Sequence, residues 1–303
     1  MTPRHPPICN YEGSDYQSTF WEHGGRTYED QVEAIALRRL LPPSGQLLLE
    51  LGAGAGRNTL RYNQFDRIVL LDYSLTQLQQ AQTRLGTDHR YIYVAANVYQ
   101  LPFMPGLFDA ATMIRVLHHM ADVPLVLNQI QQVLQPGAIF ILEFSNKQNL
   151  KAILRYALRR QSWNPFTPEP VEFISLNFDF NPFTIRTWLQ ESGFSIERQL
   201  TVSHLRVGLL KRLVPLRILV TLDSLAQWTG NWWQLTPSVF VRAKAVGQVR
   251  YTDGKPILSS SPLGLFRCPG CGNSPLAETP TSLNCSACGH QWSIQAGIYD
   301  FRQ

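Results

Sequence analysis

What the chain lacks narrows the field first. No stretch of about 18 apolar residues is free of charge, so no membrane-spanning helix is expected. The most apolar region, Val207 to Leu225, is interrupted by Lys211, Arg212, Pro215, Arg217 and Asp223. The first residues, Met1-Thr-Pro-Arg-His-Pro-Pro, hold no apolar run of the signal-peptide kind, which points to a cytoplasmic chain. Cysteine is scarce, 5 in 303 residues, and without a secretory signal paired C-x-x-C spacing points to metal ligation rather than disulfides. The charge excess is slight, +5, too weak to imply a nucleic-acid partner. Internal repeats are absent. What remains is an ordinary soluble composition, 44% apolar and 16% charged, on a chain long enough for a sizeable core and more than one domain.

The pattern of apolar runs divides the chain. Residues 1–45 form a leader that turns helical, with Glu29-Asp30 ahead of Val32, Ile35, Ala36, Leu40 and Leu41 on one face. From residue 46 to 246 short apolar runs alternate with helical segments. The runs are Gln46–Leu51, Arg67–Asp72, Tyr91–Ala95, Asp109–Ile114 and Ala138–Phe144. Near-continuous apolar strands are buried on both faces of a parallel sheet, which gives a doubly wound, Rossmann-like α/β fold. Residues 146–205 read as an insertion or cap, with a helix from Asn149 to Arg160, a Pro-rich loop, a helix from Pro182 to Ser192 and a strand from Phe194 to Val202. Val239–Ala245 is the last strand. Residues 247–263, rich in Gly, Ser and Pro, read as a linker before a segment at 264–303.

The glycine-rich turn Glu50-Leu-Gly52-Ala-Gly54-Ala-Gly56 follows one buried run and opens a helix. Glycines let the backbone turn tightly and approach a ligand. A dinucleotide fingerprint would need its third glycine where Arg57 stands, which disfavours an oxidoreductase. Asp72 ends the next run, 20 residues beyond Gly52, where a carboxylate can accept hydrogen bonds from both hydroxyls of a ribose.

These residues resemble the class I S-adenosylmethionine-dependent methyltransferases, of the type 11-like kind, with a seven-stranded sheet. The resemblance covers roughly residues 20–145 and fades toward 245. It rests on Glu50–Gly56, Asp72-Tyr73-Ser74, Asn97-Val-Tyr-Gln-Leu-Pro-Phe103, Phe108-Asp109, Leu117-His118-His119 and Leu134-Gln-Pro-Gly137. It implies that Glu50, Gly52, Gly54 and Gly56 surround the methionine part of the cofactor, that Asp72 holds its ribose and that Tyr73 packs near the adenine. Asn97 stands where the family often has Asp; its amide oxygen would accept from the adenine amino group without charge assistance, and Val98 would offer its backbone N–H. Arg115 lines the cofactor pocket or orients the helix ahead.

Methyl transfer from a sulfonium has a good leaving group, so alignment supplies much of the acceleration and no base is implied by the family. His118 and His119 are candidates for taking a proton from the acceptor; equally, one packs and the other caps or faces solvent. The leader is dense in aromatics (Tyr11, Tyr16, Phe20, Trp21, Tyr28), which either close over the cofactor or pin a helix to the sheet. Lys147, Lys151, Arg155 and Arg159 would make a basic stripe on one helix, for phosphates, an anionic membrane or merely solvent.

Cys268-Pro-Gly-Cys271 and Cys285-Ser-Ala-Cys288 give C-x2-C, 13 intervening residues and C-x2-C, the spacing of a tetrahedral, structural Zn²⁺ site. The run from Leu265 to Phe301 resembles the small zinc-ribbon activator subunits that partner tRNA and release-factor methyltransferases. Two substrate readings follow. The first, favoured by similarity to the ubiquinone and menaquinone C-methyltransferases, is a small-molecule acceptor (a quinone, lipid or metabolite) beneath an aromatic roof built from residues such as Trp163, Phe166, Phe173, Phe178 and Phe180. The second is an RNA or protein acceptor or partner held by the ribbon and the basic stripe. A non-catalytic cofactor-binding scaffold is a third reading, opposed by the intact glycine turn with Asp72.

Overall fold

The computed structural model describes residues 6–14, 19, 21, 24–247 and 262–302. Tyr16 and Phe20 of the leader, and nearly all of the 247–263 linker, lie outside the described residues.

The chain alternates strands and helices in this order: α1 (Thr27–Leu40), β1 (Gly45–Leu51), β2 (Phe65–Asp72), α2 (Leu75–Leu85), β3 (Tyr91–Ala95), β4 (Phe108–Met113), α3 (Val123–Val133) and β5 (Leu134–Ser145). Local chemistry sets the boundaries. Ser74 Oγ accepts the Gln77 N–H at 3.2 Å to start α2, and the Asp122 carboxylate accepts that of Leu125 at 3.0 Å to start α3. In α1, Glu29 and Asp30 occupy the first turn and Arg38 and Arg39 the last, which suits the helix dipole. After β5 come α4 (Leu150–Ala157), the hairpin β6 (Val171–Ile174) and β7 (Asn177–Asp179), α5 (Pro182–Glu191), β8 (Phe194–Val202), α6 (Gly208–Leu213), α7 (Leu216–Ala226) and β9 (Ser238–Ala245). The C-terminal segment adds β10 (Ala277–Glu278), β11 (Ser282–Asn284), β12 (Gln291–Gln295) and β13 (Ile298–Asp300).

The main sheet runs β10-β11-β12-β13-β3-β2-β1-β4-β5-β9-β8. From β13 to β5 neighbouring strands are parallel; β9 is antiparallel to both β5 and β8. Alternate strand residues feed two cores. Leu47, Leu49 and Leu51 pack with α3 and α5 on one face, while Leu48 packs with α1, α2 and α7 on the other. Strand order reverses at β1, between β2 and β4, and opens a crevice at the C-terminal ends of the strands there.

The four-cysteine segment is built into this sheet. Strand β13 pairs with β3 in the register Ile298↔Tyr93, Tyr299↔Val94 and Asp300↔Ala95. Phe266 is fully buried, 5.9 Å from Phe103 and 5.2 Å from Phe301 between ring centroids. The Arg267 N–H donates to the Pro102 carbonyl and the Met104 N–H to that of Leu265. Residues 264–302 therefore share the core of the α/β body.

Three expectations for the 146–205 region are corrected. Phe194–Val202 is not part of a cap: as β8 it pairs with β9 and closes the sheet edge. The basic stripe does not form as a unit. Lys147 precedes α4, and its ammonium is buried, donating to the Thr167 and Glu169 carbonyls at 2.9 and 2.6 Å; Arg159 lies past the helix end at φ 56°. Only Lys151 and Arg155 share α4. The aromatic roof is also absent. Phe180 is in the core and Phe178 packs against it, whereas Phe166, Phe173 and Phe183 face solvent.

Candidate functional site

The crevice at the reversal of strand order holds a pocket. Its floor is the glycine turn after β1, one wall is Asp72-Tyr73 after β2, another is Ala96 and Val98 after β3, and the far wall runs from Thr112 to Met120 after β4. The leader covers it with Ile8, Cys9, Tyr11 and Trp21. Gly52, Gly54 and Gly56 all have positive φ, between 54° and 73°. A Cβ at Gly52 would overlap the Val116 side chain. At Gly54 it would meet nothing closer than Gln77 Oε1 at 3.7 Å, because the space beside this glycine belongs to the pocket.

Asp72 holds the turn in place. Its carboxylate is half-buried and accepts the Gly54 N–H at 2.8 Å and the Ser74 N–H at 2.9 Å. Burial raises its pKa, and these backbone donors oppose the rise. Glu50, also buried, is pushed up to about 8 by desolvation, with the Thr59 hydroxyl donating to it at 2.6 Å. At neutral pH this carboxyl is largely protonated.

Arg57 and Arg115 both line the pocket and meet at Glu33 of α1. Arg57 donates to Asp30 at 2.5 Å and to Glu33 at 3.0 Å, and Arg115 Nε donates to Glu33 at 2.8 Å. The two cations hold the buried Glu33 carboxyl below its usual range despite desolvation. The Trp21 ring lies over this network, 3.6 Å from the Arg57 guanidinium carbon and 5.5 Å from that of Arg115. Arg115 itself has φ 63°, a left-handed conformation that is costly for a non-glycine residue. The turn aims its N–H at buried Glu143, 2.9 Å away. Arg115 thus lines the pocket, and its N–H ties the segment after β4 to Glu143.

The two histidines separate cleanly. His118 is half-buried and not among the residues lining the pocket, its inaccessible Nδ1 has no hydrogen-bond partner among the described residues, and desolvation pushes its pKa well down. His119 lines the pocket. Its Nδ1 lies 2.9 Å from the Leu176 carbonyl, which can only accept, so Nδ1 carries the proton and Nε2 is the acceptor. The Tyr11 hydroxyl donates to that Nε2 at 3.1 Å. Burial lowers the pKa of His119, keeping the ring neutral and able to take up a proton.

Asn97 is placed differently from Ala96 and Val98. Its side-chain oxygen accepts the Tyr99 N–H at 2.9 Å, and the side chain is not among those lining the pocket. Tyr73 borders the pocket and is held from outside: Arg302 donates to its carbonyl at 3.1 Å and sits over its ring. Sequence reasoning missed this contact, and also missed Glu33, Arg57 and Glu143, because nothing in local spacing signals a pairing across the fold.

The four cysteines converge at the outer end of the sheet. All four Sγ atoms lie within 4.8 Å of one another, with Cys268–Cys288 at 3.6 Å and Cys271–Cys285 at 3.5 Å. Thiolates around a tetrahedral Zn²⁺ at about 2.3 Å are separated by about 3.8 Å, so the cluster fits one such ion.

Comparison with known proteins agrees with this geometry. Residues 49–142 match the family model described as Methyltransferase domain. A demethylmenaquinone methyltransferase of Clavibacter sepedonicus is 29% identical over 181 residues, which span 55% of this chain and 73% of that one. A 2-phytyl-1,4-naphtoquinone methyltransferase of Trichormus variabilis is 33% identical over 113 residues, 35% of this chain and 49% of that one. Among solved structures, a chain from the complex between the Haloferax volcanii Trm112 methyltransferase activator and a methyltransferase superimposes with a TM-score of 0.55, at 16% identity over 77% of this chain and 96% of its own.

Proposed function

The chain is an S-adenosylmethionine-dependent methyltransferase, and from that premise we propose that it methylates an apolar small molecule of the quinone class. The observation that carries the reading is the pocket. It is a covered crevice in which Val116, Met120, Ile8 and the Trp21 ring surround His119, whose pKa burial lowers. The naming of two relatives as demethylmenaquinone and phytyl-naphthoquinone methyltransferases supports it.

In this reading Asp72 holds the ribose of the cofactor, the glycine turn and Glu50 border its methionine part, and Tyr73 and Val98 border the adenine. Asn97 then acts by shaping the Ala96–Tyr99 turn. The bound cofactor supplies a methyl group on a sulfonium. The protein's part is alignment and proton removal. Any proton the acceptor sheds goes to Nε2 of His119, the ring being fixed by Leu176 and the Tyr11 hydroxyl swinging aside. The cysteine cluster holds one structural zinc through Cys268, Cys271, Cys285 and Cys288.

The test is methyl transfer from labelled cofactor to detergent-dispersed demethylated naphthoquinones, with RNA and protein fractions in parallel. Label is expected in the quinone; label only in RNA or protein would support a second reading, motivated by the structural neighbour found in a complex with an activator. Asp72→Ala is expected to weaken cofactor binding by about 1–3 kcal/mol, the range for a hydrogen bond to a charged group, read by calorimetry. Unchanged affinity would remove Asp72 from the site.

A further inference from the structure

The surface between β8 and β9 is unusual. Helix α7 buries Leu219 and Asp223 against α1, where the Tyr28 hydroxyl donates to the Asp223 carboxylate at 2.6 Å. One flank of the same helix presents Ile218, Leu222 and Leu225, spaced four and three apart, to solvent. Helix α6 presents Leu209 and Leu213, and the chain after α7 presents Trp232 and Trp233. These are large side chains left open: Leu213 is 71% exposed, Leu225 66% and Trp232 76%. The patch continues onto α4, because the Leu150 N–H donates to the Leu235 carbonyl at 2.8 Å. There Leu150, Leu154 and Leu158 are exposed at successive turns.

The exposed charges on the patch's own segments have one sign. From residue 206 to 235 the charged residues are Arg206, Lys211, Arg212, Arg217 and Asp223, and the one acid is buried. From 150 to 160 they are Lys151, Arg155, Arg159 and Arg160, with no acid. Arg206 and Lys211 are paired with Glu29; Arg212, Arg217, Lys151 and Arg155 are exposed and form no ion pair among the described residues. The patch also adjoins the pocket. Lys211 donates to Glu29 and to the Gly25 carbonyl, which fixes α6 against the start of α1, one turn from the Glu33 that holds Arg57 and Arg115.

We infer that α4, α6, α7 and the Trp232-Trp233 pair form a docking surface for an anionic lipid bilayer, lying in the headgroup layer with leucines down and cations at the phosphates. This rests on the apolar-acceptor reading only for its purpose: the enzyme would draw the acceptor from the bilayer it rests on. The physical case is independent. Leucine, isoleucine and tryptophan on one face with arginine and lysine beside them is the composition that partitions into an interface, and tryptophan favours the boundary between headgroups and acyl chains. A nucleic acid would match the cations but leave the leucines in water. No helix of the described residues is long and apolar enough to cross a membrane, so the contact lies on the bilayer.

The test is flotation of the full chain with vesicles of phosphatidylcholine alone or mixed with phosphatidylglycerol, without cofactor or acceptor. The protein is expected to float with the mixed vesicles and far less with the neutral ones. Each cation near an anionic surface contributes about fivefold, so Lys151→Ala with Arg155→Ala should lower partitioning about twenty-five-fold. Leu213→Glu with Leu222→Glu should abolish it while circular dichroism stays unchanged, because both sites are exposed. Absence of flotation with either vesicle overturns the inference. So does flotation that survives both double variants, or sedimentation showing a dimer that the glutamate variant dissociates, which would assign the face to a second copy. Because no acceptor is present, failure here leaves methyl transfer to a dispersed quinone standing, and the reverse result would stand equally alone.

Discussion

Asp72 and Glu50 end or nearly end neighbouring parallel strands, Asp72 half-buried and Glu50 buried, and their surroundings set them apart. Asp72 meets two backbone N–H groups, which favour its charged form; Glu50 meets one hydroxyl and is pushed up to about 8. An unfolded glutamate titrates near about 4.3. Below that value both states hold the proton and the group costs nothing. As pH rises toward 8 the unfolded chain releases a proton that the folded protein keeps, so stability on this group's account falls, and above 8 it falls no further. Cofactor-free protein should therefore lose stability from pH 5 to pH 8 more steeply than its Glu50→Gln variant, measured by urea unfolding. Equal slopes would refute the assignment. The positions of both acids were legible in the sequence, because a strand that runs into glycines and a carboxylate 20 residues on have a local spacing. Their hydrogen-bond partners were not: Thr59 follows a turn whose course no periodicity records.

At the scale of elements, the strands and main helices followed from apolar periodicity, and the departures share a cause. Helix α4 stops at Ala157, so only Lys151 and Arg155 remain of the expected stripe. The segment from 208 to 226 folds as two short helices parted by Val214-Pro215, with a polar residue, Asp223, on the buried side. Leu209, Leu213, Leu222 and Leu225 face outward, against the usual direction of reading hydrophobic residues inward. The leader illustrates the other limit. Its aromatics could have been lid or packing, and Trp21 proves to lie over two arginines that themselves hold Glu33. Removing the ring takes away a pocket wall without breaking the ion pairs of Arg57 with Asp30 and Glu33. Trp21→Ala is expected to keep its thermal midpoint within about 2–4 °C, the shift for about 1 kcal/mol in a chain of this size. Cofactor affinity should fall about tenfold, a cation–π and contact loss of about 1–2 kcal/mol. Calorimetry alongside thermal unfolding separates the two effects, and intact affinity would make the leader packing only.

At the scale of the whole molecule, the four-cysteine segment decides how cofactor site and metal site are linked. Paired C-x2-C spacing marked the four-cysteine cluster in the sequence, whereas the Gly- and Ser-rich linker suggested a tail set apart. Sequence carries no sign that Ile298–Asp300 would pair with Tyr93–Ala95, since pairing between distant strands depends on a free edge that only the folded sheet offers. That edge is where the pocket begins. The Phe301 N–H donates to the Ala95 carbonyl, next to Ala96 in the pocket wall, and Arg302 ties together Asp300, Glu12 and the Tyr73 carbonyl. If a metal organises the cysteines, withdrawing it should release this strand, uncover β3 and Phe103, and loosen the walls at Tyr73 and Val98. Cys271→Ser, or stripping with a strong chelator, is thus expected to cost more than the ribbon itself. A loss of about 3 kcal/mol would lower the thermal midpoint by about 6–12 °C, and cofactor affinity should weaken in the same preparation. Metal analysis before and after gives the stoichiometry, expected at one zinc per chain. A ribbon that unfolds while cofactor affinity stays constant would show that the β13–β3 pairing contributes nothing to the site.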